Sequence, residues 1–193
     1  MTRERLVAAG YETFIKSGYS ATAIRDITDA ADVNRATFYL HFAGKSELFL
    51  AVIEHQLARS AFAHWDTLDA ALTSGSRASI RAWLEDAARW WLDNAAFVSA
   101  WNEAVAVDAT LRASPRGVYD RIGRSLAQFE SSLPEGPERQ RGVLRVEMLV
   151  MLLNSVLTQY LQPETPQAER AGALDALTEI WCATLRVPEG SAE

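Results

Sequence analysis

The chain has 193 residues, 49% of them hydrophobic, and 19 basic against 25 acidic side chains give a formal net charge of −6 at pH 7. So large an apolar share excludes a disordered chain, and the net acidity excludes a protein that coats nucleic acid non-specifically, which needs a broad basic surface. Cys182 is the single cysteine, so an intrachain disulfide and a thiolate metal cluster are both excluded.

In chain order, Leu6, Ala9, Thr13 and Phe14 recur at helical spacing and predict an amphipathic first helix. Ser17-Gly18 ends it, with the glycine suited to a left-handed C′ position, and Gly10 inside it predicts either close backbone packing or a slight softness of the helix. Ile24, Ile27 and Ala31 form the buried stripe of a short second helix. Asp32-Val33-Asn34 breaks that pattern, and Asn34 is the expected N-cap of a third helix from Arg35 to His41. Phe38 and Phe42 pack this helix inward, leaving Arg35, Ala36, Thr37, Tyr39, Leu40 and His41 on or near its outer face. That face carries no acid.

After Ala43-Gly44 a long pattern over 45–72 keeps Leu48, Phe49, Val52, Ile53, Leu57, Ala61, Trp65 and Leu68 on one side. Such a helix spans about 40 Å. Further helices are expected over 77–93, 95–108, 115–133, 138–161 and 166–186, joined by proline and glycine, and no stretch alternates as a strand does. The reading is all-α with about nine helices. A three-helix helix-turn-helix DNA-binding domain (1–45) is joined by the long helix to a helical ligand-binding and dimerisation domain (46–187), and 188–193 form a loose tail.

The first of these domains has a recognisable signature. Gly18, Thr22, Ile27, Ala31, Val33, Thr37, Tyr39, His41, Phe42, Lys45 and Leu48 reproduce several fixed spacings at once, and on them the first 55 or so residues resemble the TetR family of dimeric bacterial transcriptional regulators. Asp32 stands where that family usually has glycine, so the turn is expected to hold an aspartate at positive φ. Thr28 replaces a common small alanine and crowds the packing of the two short helices.

The resemblance implies a DNA-contacting set of Thr22, Arg25, Arg35, Ala36, Thr37, Tyr39, His41 and Lys45. Arg35 suits either a bidentate contact to guanine or a phosphate contact, and Thr37 a thymine methyl or a phosphate. Tyr39 and His41 look like phosphate contacts or local buttresses. Lys45, at a helix start, suits a phosphate, and Thr22 suits an N-cap that also binds phosphate. Gly44-Lys45-Ser46 imitates the end of a nucleotide-binding loop, but Tyr39 occupies a position that such a loop needs as glycine. Residues 1–60 hold seven bases and seven acids, so the whole acidic excess lies beyond this DNA end.

A second constellation is Trp90, Asn94, Phe97 and Trp101, which share one face if a helix runs through Asn94. It is either core or the wall of a site for a hydrophobic or aromatic small molecule. Asn154, in an apolar run, is a polar anchor for ligand, backbone or dimer register, Tyr119, Glu147 and Asn102 are weaker polar candidates, and Met148 and Met151 suit an adaptable wall. The run Met151 to Asn154 and the stretch from Ala173 to Trp181 loosely resemble the ethionamide-regulator (EthR-like) branch of the family. The stretch over 143–161 is apolar almost all round, and Leu174, Thr178, Trp181 and Leu185 form a seam. With Val150 and Leu157 they are the expected homodimer interface, since the family commonly dimerises through its last two helices.

His41, His55 and His64 lack metal-ligand spacing and no nucleophile elbow is present, so neither a catalytic residue, a metal nor a cofactor is expected. The opening Met1-Thr2-Arg3-Glu4-Arg5 has no apolar signal core, and Met148 to Leu153 is too short a run for a membrane span, which predicts a cytoplasmic protein. The expected function is a ligand-released homodimeric repressor on near-palindromic double-stranded operator DNA. The alternative is the same fold as a small-molecule or protein-binding module without operator function.

Overall fold

A computed structural model describes residues 1–56, 62–112 and 126–187. Among them are eleven helices and no strand: α1 (Thr2–Ser17), α2 (Ile24–Ala30), α3 (Arg35–His41), α4 (Lys45–Gln56), α5 (Phe62–Ser74), α6 (Arg77–Asp93), α7 (Ala95–Val107), α8 (Ala109–Arg112), α9 (Ala127–Ser132), α10 (Pro137–Tyr160) and α11 (Gln167–Leu185). The all-α expectation holds, with more helices than the nine expected. The long helix over 45–72 is represented by α4 and α5, while residues 57–61 and the Trp65 side chain lie outside the described residues, as does most of the helix expected over 115–133. No local pattern announced α8. It exists because the Asp108 carboxylate, at the end of α7, accepts from the amides of Thr110 (2.9 Å) and Leu111 (3.4 Å) and so starts a new turn.

The chain divides into two compact units, Met1–Ala61 with Asn94–Arg116, and Phe62–Asp93 with Gly117–Glu193. In the first, α1 lies against α4, α2 and α7. A side chain at Gly10 would meet Leu48 Cδ2 at 3.0 Å and Val52 Cγ2 at 3.4 Å, so the glycine permits the close approach of α1 and α4 that its position suggested. Leu6, Phe14, Ile27, Phe38, Leu48 and Phe49 are fully buried. Phe49 receives Phe14 edge-on at 4.8 Å and Tyr19 at 5.1 Å between ring centres, the arrangement that ring quadrupoles favour.

The turn between α2 and α3 behaves as its residues dictate. Asp32 sits at φ 50°, in the left-handed region expected of it. The Val33 amide donates to Thr28 O (3.0 Å) and the Asp32 amide to Asp29 O (3.2 Å), the paired bonds of a Schellman ending. Arg5 reaches over from α1 and donates to Ala31 O at 2.6 Å, fastening the turn. The Asn34 side chain then accepts from the Thr37 amide at 2.8 Å, the expected N-cap. Thr28 fits within the packing, 4% exposed, because its hydroxyl donates back to Arg25 O.

Gly18 departs from expectation. Its φ of 79° needs glycine, but ψ is 169°, far from the left-handed helical value near 47°. The chain turns out there so that the next two amides can meet a carboxylate of α7.

In the second unit the core is built from Leu68, Ile80, Trp83, Leu84, Phe129, Val146, Val150, Leu153, Leu177 and Trp181. Trp83 and Trp181 lie 5.3 Å apart, tilted by 35°. By length and composition α10 could cross a membrane, which the short apolar run in the sequence did not suggest. Its inner stripe of Val146, Leu149, Val150, Leu153 and Leu157 is part of this core. The buried Asp69 carboxylate of α5 accepts from the amides of Gln128 (3.0 Å) and Phe129 (2.8 Å), capping α9 from across the unit. Asp69→Ala leaves both amides without that acceptor and is expected to lower unfolding stability by about 2 kcal/mol, read as an earlier midpoint in urea denaturation.

Candidate nucleic-acid interface

The outward residues of α3 are Arg35, Ala36, Tyr39 and Leu40, with Thr37 and His41 half-buried. Arg35 donates to the Tyr39 hydroxyl at 3.1 Å, and its guanidinium lies 5.5 Å from the centre of that ring. The Thr37 hydroxyl donates to Asn34 Oδ1 at 3.0 Å. Arg25 stands on the exposed side of α2, 3.5 Å from Asp29 Oδ2, a solvated pair of little energetic consequence.

Two members of the expected set are placed otherwise than their sequence positions suggested. Thr22 is not an N-cap: α2 starts at Ile24 after Ala23, and it is the Asp26 carboxylate that accepts from the Ala23 amide at 2.9 Å. Thr22 itself is 2% exposed, and its hydroxyl donates to Gly18 O at 2.6 Å. Lys45 turns inward, its ammonium donating to Tyr19 O (2.7 Å) and Thr22 O (2.9 Å), 4.3 Å from the centre of the Tyr19 ring. Both residues hold the 18–22 loop from which α2 emerges.

That loop is clasped by acids the sequence did not single out. The amides of Tyr19 and Ser20 donate to the Glu103 carboxylate at 2.7 and 3.2 Å. The Tyr19 and Ser46 hydroxyls donate to Asp108 Oδ2 at 2.7 and 2.5 Å. These bonds, from Ser46 first and Tyr19 second, push the Asp108 carboxyl down to about 2. Hydrogen bonding from Ser20 likewise holds Glu103 below the usual range against the cost of burial. Burial, chiefly, raises the Tyr19 phenol to about 12 and lowers Lys45, the nearby Glu103 and Asp108 opposing the second shift. The partners of Tyr19 lie 84 and 89 residues away in sequence, so no local pattern could have announced them.

The expected ligand wall does not assemble on one helix face. A break at Asn94 (φ −114°, ψ 23°) separates α6 from α7, and it puts Trp90 in the second unit but Phe97 and Trp101 in the first. Phe97 is 1% exposed and packs on Tyr11 (5.8 Å) and Trp101 (6.1 Å), as part of the aromatic cluster behind the reading helices. On α10 Glu147 and Asn154 are half-buried and Met148 and Met151 exposed, while Tyr119 lies outside the described residues. A surface groove of about 780 Å³, lined by α1 and α2 residues such as Glu12, Lys16 and Asp26, contains none of these candidates.

The residues expected to form a dimer seam are turned into the protein's own core. Val150, Leu157, Thr178 and Trp181 are at most 2% exposed within their own unit, and Leu174 and Leu185 pack against that core. The large apolar side chains left outward on these two helices are Leu144, Met148, Met151 and Tyr160 of α10 and Ile180 of α11.

An N-capped reading helix with an acid-free face, fixed by a Schellman turn to the helix before it, defines a helix-turn-helix protein. Residues 6–52 match the family model described as bacterial regulatory proteins, tetR family. The transcriptional repressor DhaR of Mycobacterium sp. (strain GP1) is 46% identical over 43 residues, 22% of each chain. The matched segment spans about a fifth of the first two curated relatives' length. Over nearly the whole chain the fold is that of a TetR-family regulator from Mesorhizobium loti, with a TM-score of 0.63, 18% identity and 94% and 95% of the two chains covered. The TetR-family regulator CifR, solved with double-strand operator DNA, aligns with a TM-score of 0.51, 15% identity and 95% and 94% covered. Residues 6–52 are thus those of the tetR family of bacterial regulatory proteins, and the rest of the chain shares the fold of solved members.

The clasp has a pH signature. Because the Asp108 carboxyl is depressed in the folded state, its contribution is fully present above the ordinary aspartate value near 3.8 and is lost as pH falls toward about 2. Asp108→Asn removes this contribution, so urea-unfolding stability should fall less steeply between pH 4 and 2 in the variant, while the wild type is the more stable at pH 7.

Proposed function

We propose that the protein is a ligand-responsive repressor that binds a near-palindromic operator as a homodimer, its two α3 helices entering successive major grooves about 34–36 Å apart. The observation that carries this is the outward, acid-free face of α3 on a unit whose residues 6–52 match the family's DNA-binding model. Arg25, Arg35, Ala36, Thr37, Tyr39 and His41 form the contacting set. Thr22 and Lys45 act one step back, by fixing the loop that delivers α2. The operator complex of CifR supports the same mode of binding. Such a protein works in the cytoplasm, where its operator is.

The second copy docks on α10. Leu144, Met148 and Met151, spaced four and three apart, are 48%, 58% and 47% exposed, and Ile180 of α11 is 44% exposed. A methionine-rich apolar strip between polar neighbours suits a self-complementary twofold contact. The effector is a hydrophobic or aromatic small molecule bound in the same unit. There the Trp181 Nε1 is buried with no acceptor, beside Trp83, and a ligand bearing an acceptor satisfies a donor whose burial otherwise costs free energy. Such a ligand derepresses only if it binds the non-operator state more tightly.

Sedimentation of the wild type should give a dimer, and the paired change Met148→Asp with Met151→Asp a monomer whose operator affinity falls at least tenfold. Wild-type binding to DNA flanking its own gene should weaken steeply with salt as phosphate counterions are released. A monomeric wild type, or DNA binding indifferent to salt, would turn the reading to a binding module without operator function.

A further inference from the structure

The seven residues of α3 differ in what they can touch. At 3.6 residues per turn each residue advances about 100°, so Ala36 and Leu40, two before and two after Phe38, each lie about 160° from it. Phe38 is fully buried and Leu40 is 82% exposed. Ala36 and Leu40 are therefore the apex of the outward face, with Arg35 and Tyr39 on one flank and Thr37 and His41 on the other.

The flanks hold the polar groups, and three of these have partners on α3 or its cap. Arg35 is bonded to Tyr39, and Thr37 to Asn34. The apex offers a methyl and an isobutyl group, neither able to hydrogen-bond. Packing within the protein does not account for Leu40, since a side chain so exposed contributes almost nothing to the core. Of the features a duplex displays in its major groove, the C5-methyl of thymine is the apolar one.

We propose that Leu40, with Ala36 beside it, is a specificity-determining edge that selects thymine at the base pairs beneath α3 by contact with the C5-methyl. Leu40 carries most of the discrimination, because it projects furthest. The Arg35–Tyr39 pair, on the flank, faces the phosphate backbone rather than the floor of the groove. This rests on the operator-binding reading above and adds the chemistry by which the site chooses its sequence.

The test begins with selection of duplexes from a random-sequence pool by the full chain. Each thymine of one enriched half-site is then replaced singly by deoxyuridine, which removes the methyl and nothing else. The wild type should lose about fourfold in affinity at one or two positions, the equivalent of ~0.8 kcal/mol for one buried methyl group. Leu40→Ala should bind the thymine and uracil duplexes equally at one of those positions, while Arg35→Ala keeps the full discrimination. Because Leu40 is exposed, L40A should melt within a degree or two of the wild type, and a fold defect is thereby separated from a lost contact. An enriched duplex that tolerates every uracil, or an L40A protein that still discriminates as the wild type does, overturns the proposal and leaves operator binding standing. A pool from which no duplex is enriched overturns both.

Discussion

The DNA-reading half of this protein depends on how one short loop is held. Residues 18–22 lie between two helices, where backbone groups have no regular partner and must find one elsewhere. Lys45 takes the carbonyls of Tyr19 and Thr22, and Glu103 takes the amides of Tyr19 and Ser20. Cation and anion grip the same loop through its opposite polarities. Gly18 makes this possible, because only a residue without a side chain leaves room at φ 79°, where a Cβ would stand 2.6 Å from Glu103 Oε2.

The consequence reaches α3 in three steps. The loop sets where α2 begins, the Schellman turn with Asp32 at φ 50° sets how α3 leaves α2, and Asn34 sets where α3 starts. The first and last steps close backbone groups with particular side chains, and the middle one pairs backbone with backbone. Glu103 and Asp108 belong to α7 and its C-terminal end, a segment that packs in the first unit although the chain on both sides of it builds the second.

What was legible and what was not divides by distance along the chain. The Asn34 cap, the inward Phe38 and Phe42 and the strained Asp32 all follow from residues within a few positions of one another. The Thr22 reading failed because a threonine before a helix suits an N-cap, while here Ala23 and Asp26 start the helix and the hydroxyl serves the end of α1. The tryptophan stripe failed because its phase assumed an unbroken helix, and one residue, Asn94, resets the phase. The residues expected at a dimer seam fall inward for a related reason: α10 and α11 are apolar on more than one side, so periodicity alone does not say which side meets the protein's own core.

The sequence by itself determined the all-helical class, the helix-turn-helix and the identity of its outer face, because capping, turn chemistry and 3.6-residue periodicity act over single turns of chain. Tertiary structure alone decided that Lys45 and Thr22 serve the loop, that Phe97 backs the reading helices, and that Leu144, Met148 and Met151 face outward on α10. Those outcomes rest on contacts between segments far apart in sequence. Their energy comes from burying apolar surface and satisfying backbone groups across such gaps, and no local pattern encodes which distant partner will arrive.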